Sequence, residues 1–272
     1  MIKRFFHNLN SLRVAYILIS GQATVLYGAA TFSEDVDLWV EPKSDNWNKF
    51  LKVLKNMNAK VYKLTPPVSM ELIKKGHGYH FQIPSKDEKS GFWFLDVMGL
   101  VPRVGSFKNC LKNVNNKKTD WGKLPVIGIR DLVELKKTRR LEDYPVISNL
   151  VRIEYENLYC LKKIKNNDWK WILKNSFNIE DILYYLNSHN TAKTVSANIS
   201  RKCLPFCLKA VANPKKFEEY MRKASNEIAL EIERLRQLDR KYWNSVINEL
   251  KSLNQDNQLL PSGNKVPCSV TD

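Results

Sequence analysis

Asp35 and Asp37 stand two residues apart in Asp35-Val-Asp-Leu-Trp-Val40, an alternating segment closed by Glu41-Pro42. Period-two alternation reads as a strand, and residues two apart on a strand share a face. Two carboxylates held that close repel strongly unless cations lie between them. Hard divalent ions such as magnesium take oxygen ligands, and paired ions clamp the attacking and leaving oxygens of a phosphoryl displacement. A third acid, Asp96, interrupts the apolar run Phe92-Trp-Phe-Leu-Asp-Val-Met98, where an unpaired buried carboxylate is unfavourable. Asp35, Asp37 and Asp96 are therefore the candidate catalytic and metal-ligating set.

Such acids need a phosphate to act on, and the segment before them offers a cradle. Val14 to Ser20 reads as a short buried strand, Gly21 follows, and Gln22 to Gly28 has the composition of a short helix. A small-residue turn opening into a helix exposes backbone N–H groups, and glycine allows a triphosphate to approach closely. Lys136, Lys137, Arg139 and Arg140, on or just after a helix, are candidate cations for the leaving pyrophosphate.

The remaining elements supply the frame. Ser44 is an expected N-cap for an amphipathic helix with Trp47, Phe50, Leu51 and Leu54 on its inner face. Val61 to Leu64 and Tyr79 to Ile83 read as further strands. From about residue 128 the pattern is helical: Ile129 to Thr138, Pro145 to Tyr159, Asp168 to Asn175 and Ile179 to Ser188. A long helix follows from Lys215 to Leu253, with Leu230, Ile232, Leu235, Leu238, Trp243, Val246, Ile247 and Leu250 available for its buried side. The expected class is α/β (α+β): a small mixed sheet with helices over residues 1–150, an all-helical region over 151–254, and a polar, flexible tail over 255–272.

Composition bounds the partners. The chain has 272 residues, 43% of them hydrophobic, and a formal net charge of +16. A charge so far from zero favours polyanions, and it is concentrated: Arg103 to Arg140 holds eleven Lys or Arg residues against three acids. No stretch approaches the roughly 20 apolar residues that span a bilayer. Met1 to Phe6 lacks the long apolar run of a signal peptide, so a cytoplasmic protein is expected. The five cysteines are scattered and too few for a disulfide framework; Cys203 and Cys207, one helical turn apart, read as buried thiols on a helix face. His77 and His80 have a spacing that could ligate a metal, but Gly76 and Gly78 point instead to a turn at a strand start. Trp39, Trp47 and Trp93 are expected in the core.

With these residues in view, the chain resembles the DNA-polymerase-β-like nucleotidyltransferases, and more narrowly the bacterial nucleotidyltransferases grouped with AbiEii-type toxins. The matching segments are Ser20-Gly21, Ser33 to Asp37, Leu95-Asp96-Val97 and Arg130 to Ile147, with an echo at Asp239 to Trp243. The resemblance implies nucleotide contacts from Ser20, Gly21, Ser33, Lys136 and Arg140, and a supporting role for Asp143. It also implies Mg2+ or Mn2+ as cofactor, an NTP as substrate, and a cognate antitoxin or operon partner. Two positions depart from the family pattern. Ser20 stands where glycine is usual, and Thr31 where many relatives carry arginine.

The expected activity is transfer of a nucleoside monophosphate from an NTP to an acceptor hydroxyl, releasing pyrophosphate. RNA, a tRNA end in particular, is the acceptor that charge and resemblance favour; a protein hydroxyl and a small molecule are the others. Positive charge weighs against a cationic aminoglycoside. The alternative is a catalytically weakened module of the same fold that binds nucleic acid or a partner protein, an alternative supported only by Ser20 and Thr31.

Overall fold

Strand alternation fixes how the acids are presented. In a computed structural model, which describes residues 1–86 and 91–271, Phe92–Met98 (β5) buries every second side chain, and Asp35–Val40 (β2) alternates through Leu38 before Trp39 and Val40 are both buried. Val36 and Leu38 on β2, and Trp93, Leu95 and Val97 on β5, form one packed face. The acids occupy the other. A one-residue register slip would drive the carboxylates into the core and the apolar residues out, so burial itself specifies the register.

The chain clusters into two units, residues Met1–Leu135 with Tyr242–Asp272, and Lys136–Lys241. The first opens with α1 (Ile2–Ser11), β1 (Tyr16–Ile19) and α2 (Ser20–Tyr27). After β2 come α3 (Ser44–Asn56), β3 (Lys60–Val61), α4 (Met70–Lys75) and β4 (Gly78–Pro84). Beyond β5 lie α5 (Phe107–Lys112), β6 (Asn115–Thr119), β7 (Gly122–Val126) and α6 (Ile129–Lys136). Among the described residues the strands form one mixed sheet of order β3-β4-β5-β2-β1-β7-β6. β2 runs parallel to β5 and antiparallel to β1, and β4 pairs antiparallel with β5.

The core lies between this sheet and the helices α1 and α3. Phe5 of α1 meets Trp93 edge-on at 5.0 Å, and Trp47 of α3 meets Tyr79 at 5.1 Å. Trp47, Phe50, Leu51 and Leu54 are fully buried, as the helical spacing predicts. Ser44 is the first helical residue and Lys43 the cap.

The second unit is helical: α7 (Asp143–Cys160), α8 (Asn166–Asn175), α9 (Ile179–Ser188), α10 (Asn190–Ser196), α11 (Leu204–Ala212) and, after a 3-10 turn at Pro214–Lys216, the start of α12 (Phe217–Gln255). Cys203 and Cys207 are free buried thiols, as read. Leu230, Leu238 and Ile247 of α12, expected to be buried, are exposed. At the α12 turn carrying Leu238, the buried residue is Asp239, which accepts a hydrogen bond from the Arg139 backbone N–H. Among the described residues no helix is long and apolar enough to cross a membrane.

Two boundaries differ from those expected. A division at residue 150 would cut α7, whose residues belong together in the second unit, and the units part instead at Leu135 and Lys136. The stretch after residue 255 is not a separate tail. Val61 donates its N–H to Asn264 O, Gly263 donates to Val61 O, and Leu260 donates to Thr65 O. The physical cause is the free edge of β3, whose backbone groups need partners that β4 cannot supply.

Candidate active site

The parallel pairing of β2 with β5 sets Asp37 opposite Asp96, with Asp35 opposite Phe94. Paired residues on neighbouring strands project to the same side, about 4.8 Å apart. Asp35, Asp37 and Asp96 therefore share one sheet face, each half-buried. β4 extends that face. His80 pairs with Asp96, and its Nδ1 lies 2.7 Å from Asp96 Oδ1. A carboxylate accepts, so this contact places the imidazole proton on Nδ1. A Cβ at Gly78 would meet the ring only at ordinary contact distance, 3.4 Å from His80 Nε2.

Electrostatics register the crowding. Burial pushes the Asp35 carboxyl above its ordinary range, and the nearby Asp96 carboxylate adds to the rise, while Lys63 and His80 oppose it. The donor chemistry fits a hard divalent ion, since carboxylate oxygens on adjacent strands supply charge that a cation would relieve. Among the described residues no three His, Cys, Asp or Glu side chains are yet gathered closely enough to hold an ion.

On the β1 side lies the turn from β1 into α2. Ser20 lies at φ 57°, in the left-handed region that favours glycine. The N-terminus of α2 has no side-chain cap, so its first-turn N–H groups are open to an anion. A Cβ on Gly21 would fall 2.2 Å from Ser33 Oγ, so only glycine lets the turn and the loop pack together. Ser33 Oγ donates to Asp35 O at 3.1 Å, and Gln22 Nε2 donates to Ser33 O at 3.0 Å. Gly21, Ser33 and Asp35 are thus mechanically continuous.

Lys136, Arg140 and Asp143 cluster in the second unit. Lys136 Nζ donates to Asp143 Oδ1 at 3.0 Å, and Arg140 Nε to Oδ2 at 3.1 Å. Thr138 Oγ1 also donates to Oδ2. Lys136 and Asp143 are buried, whereas Arg140 is more than half exposed. Asp143 thereby supports both cations. Within the basic stretch, Lys117 is committed elsewhere: its Nζ donates to Leu26 O at 2.9 Å and sits over the Tyr27 ring, and burial lowers its pKa. Lys118 and Lys123 are exposed and directly opposite on β6 and β7. Like charges so placed repel, which a polyanion would relieve.

A cavity of about 960 Å³ adjoins the acids on the β4 side, bounded by Lys63, Leu64, His80, Leu250, Asn254 and the chain after Asn257. Sequence reading missed this wall and the partnership of His80 with Asp96. The strand alternation of Gly78, His80 and Gln82 was visible, but only the β4–β5 register brings His80 to Asp96. Comparison with protein-family models and with curated proteins found no match for the chain.

Proposed function

We propose that this protein is a metal-dependent nucleotidyltransferase, moving a nucleoside monophosphate from an NTP to an acceptor hydroxyl and releasing pyrophosphate. One observation carries the reading: Asp37 faces Asp96 across the β2–β5 register, with Asp35 on the same face and the Gly21–Ser33 turn at its margin. When bound, Mg2+ or Mn2+ would neutralise the triphosphate and polarise the transferred phosphorus.

Asp35, Asp37 and Asp96 would hold the metal. The open N–H groups of α2 and the Ser20 hydroxyl would bind the triphosphate, and Ser33 would join them by exchanging its bond to Asp35 O for one to phosphate. Lys136 and Arg140, both held by Asp143 within the second unit, are the cations for which the family resemblance implies a nucleotide contact. Asp96, with Oδ1 held by His80, would receive the acceptor's proton on Oδ2. The acceptor oxygen then bonds to the α-phosphorus as the bond from that phosphorus to the bridging oxygen breaks, and the electron pair departs with pyrophosphate. The net charge of +16 and the exposed pair Lys118 and Lys123 support RNA, a tRNA end included, as acceptor. The reading implies a cytoplasmic protein with a cognate antitoxin or operon partner.

The test is magnesium-dependent pyrophosphate release from NTPs with cell RNA as acceptor. Wild type should be active, and Asp35→Asn and Asp37→Asn should each lose at least roughly 100-fold while remaining folded. Nucleic-acid binding without pyrophosphate release would favour the non-catalytic module instead.

A further inference from the structure

Resting on the nucleotidyl-transfer reading, we propose that the cavity on the β4 side is the acceptor site and that it takes a nucleoside presenting a free ribose hydroxyl.

The direction of attack comes from the sheet order. The triphosphate cradle lies at the end of β1, Asp35 and Asp37 are on β2, Asp96 is on β5, and His80 is on β4. In-line displacement requires entering and leaving oxygens on opposite sides of the phosphorus. With pyrophosphate leaving toward α2, the acceptor must arrive across β5 from the β4 side. The cavity stands there, and His80, which lines it, touches Asp96 at 2.7 Å.

The lining selects the acceptor. Among the described residues lining the cavity there is no carboxylate, so beyond Asp96 at its inner end the wall gives a polycationic acceptor no countercharge, and Lys63 repels it. Leu64, Leu250 and Leu260 offer apolar walls to a flat base. Asn254 and Asn257 bring side-chain amides, each with donors and an acceptor, to read a base edge. Lys63 can take a 5′-phosphate.

The wall is held in place rather than draped. Glu249, one residue before Leu250, lies 2.7 Å from Lys75 Nζ and 2.7 Å from His77 Nε2. Leu260 is tied by its backbone to Thr65. Asn257 sits at φ 55°, so glycine can replace it without backbone strain, and Asn254 is exposed on a helix, where alanine is favourable. The double variant Asn254→Ala/Asn257→Gly therefore removes both amides without threatening the fold.

The experiment is equilibrium binding to the full chain, without NTP or metal. The probes are a 5′-labelled single-stranded RNA with a free 3′-hydroxyl and, as competitor, AMP or CMP. The double variant should bind the RNA roughly tenfold more weakly, the loss of one to two net hydrogen bonds. Competition by the mononucleotide would identify the nucleoside unit as the ligand. Binding of the RNA alone would place the ligand at a chain end. Equal affinity of wild type and variant, or a wild type that binds neither probe, would overturn the assignment. The acceptor KM separates the two readings. Pyrophosphate release with an unchanged acceptor KM in the variant would sink the cavity assignment alone. Lost probe binding in a chain that never releases pyrophosphate would sink the acceptor role together with the activity.

Discussion

Nδ1 of His80 and Oδ1 of Asp96 lie 2.7 Å apart, on strands whose register sets the two residues directly opposite. The contact leaves one carboxylate oxygen of Asp96 for metal or acceptor and holds the other still. On the proposed reading, His80 is a positioning residue. His80→Ala should lower kcat by roughly 10- to 100-fold with the KM for NTP unchanged, and His80→Gln, which keeps an N–H donor, should recover part of the loss. A merely structural role would instead lower the amount of folded enzyme and leave kcat per active site intact.

Metal should reverse a stability order. Asp35 is disfavoured as a carboxylate by burial and by Asp96, so in a chelator Asp35→Asn should be at least as stable as wild type. At a magnesium concentration 100 times the dissociation constant, wild type should gain about 2.7 kcal/mol and overtake the variant. Thermal melts of both proteins with and without magnesium check this. Equal gains in both proteins would remove Asp35 from the ligand set.

Ser20 at φ 57° strains the turn that leads into α2. Relief of about 1–2 kcal/mol, less the greater unfolded-state freedom of glycine, leaves Ser20→Gly more stable by about 0.5–1 kcal/mol. Urea unfolding reads the difference directly. A destabilised variant would mean that the serine hydroxyl outweighs the backbone strain.

The anchor of the cavity wall should be pH-sensitive. Lys75 first, and His77 second, hold the Glu249 carboxyl below its usual range. A depressed folded-state pKa contributes stability above the unfolded carboxylate value, and that stability is lost as pH falls through the folded value. The stability gap between wild type and Glu249→Gln should accordingly be steady near neutrality and shrink below about pH 4. A gap independent of pH would show that the carboxylate charge is not what holds α12 there. Because the Glu249 side chain is still one-third exposed, solvent screening should keep the gap small.

Much of the first unit was legible because its strands bury one face and its third helix one stripe. β2 and β5 have the bounds read from alternation, and Trp47, Phe50, Leu51 and Leu54 are buried as the 3.6-residue period requires. The short elements α4, α5, β6 and β7 escaped notice. Asn115–Thr119 carries no alternating apolar residue, and pairing with β7 rather than composition makes it a strand. The stretch 256–271 looked like a tail because it is polar and rich in turn residues, while its order comes from the unpaired edge of β3.

What the sequence determined by itself was that Asp35 and Asp37 share a strand face, that Asp96 sits alone in an apolar strand, and that Ser20-Gly21 opens a helix. These follow from local periodicity, which each segment carries within its own residues. Tertiary structure alone decided that Asp96 and His80 join the same face, that Ser33 packs on Gly21, that Lys117 is spent on a helix end, and that residues after 256 wall the cavity. Each depends on strand register or long-range backbone pairing. That choice is made by burial of the opposite sheet face and by unsatisfied edge groups, which no local window of sequence contains.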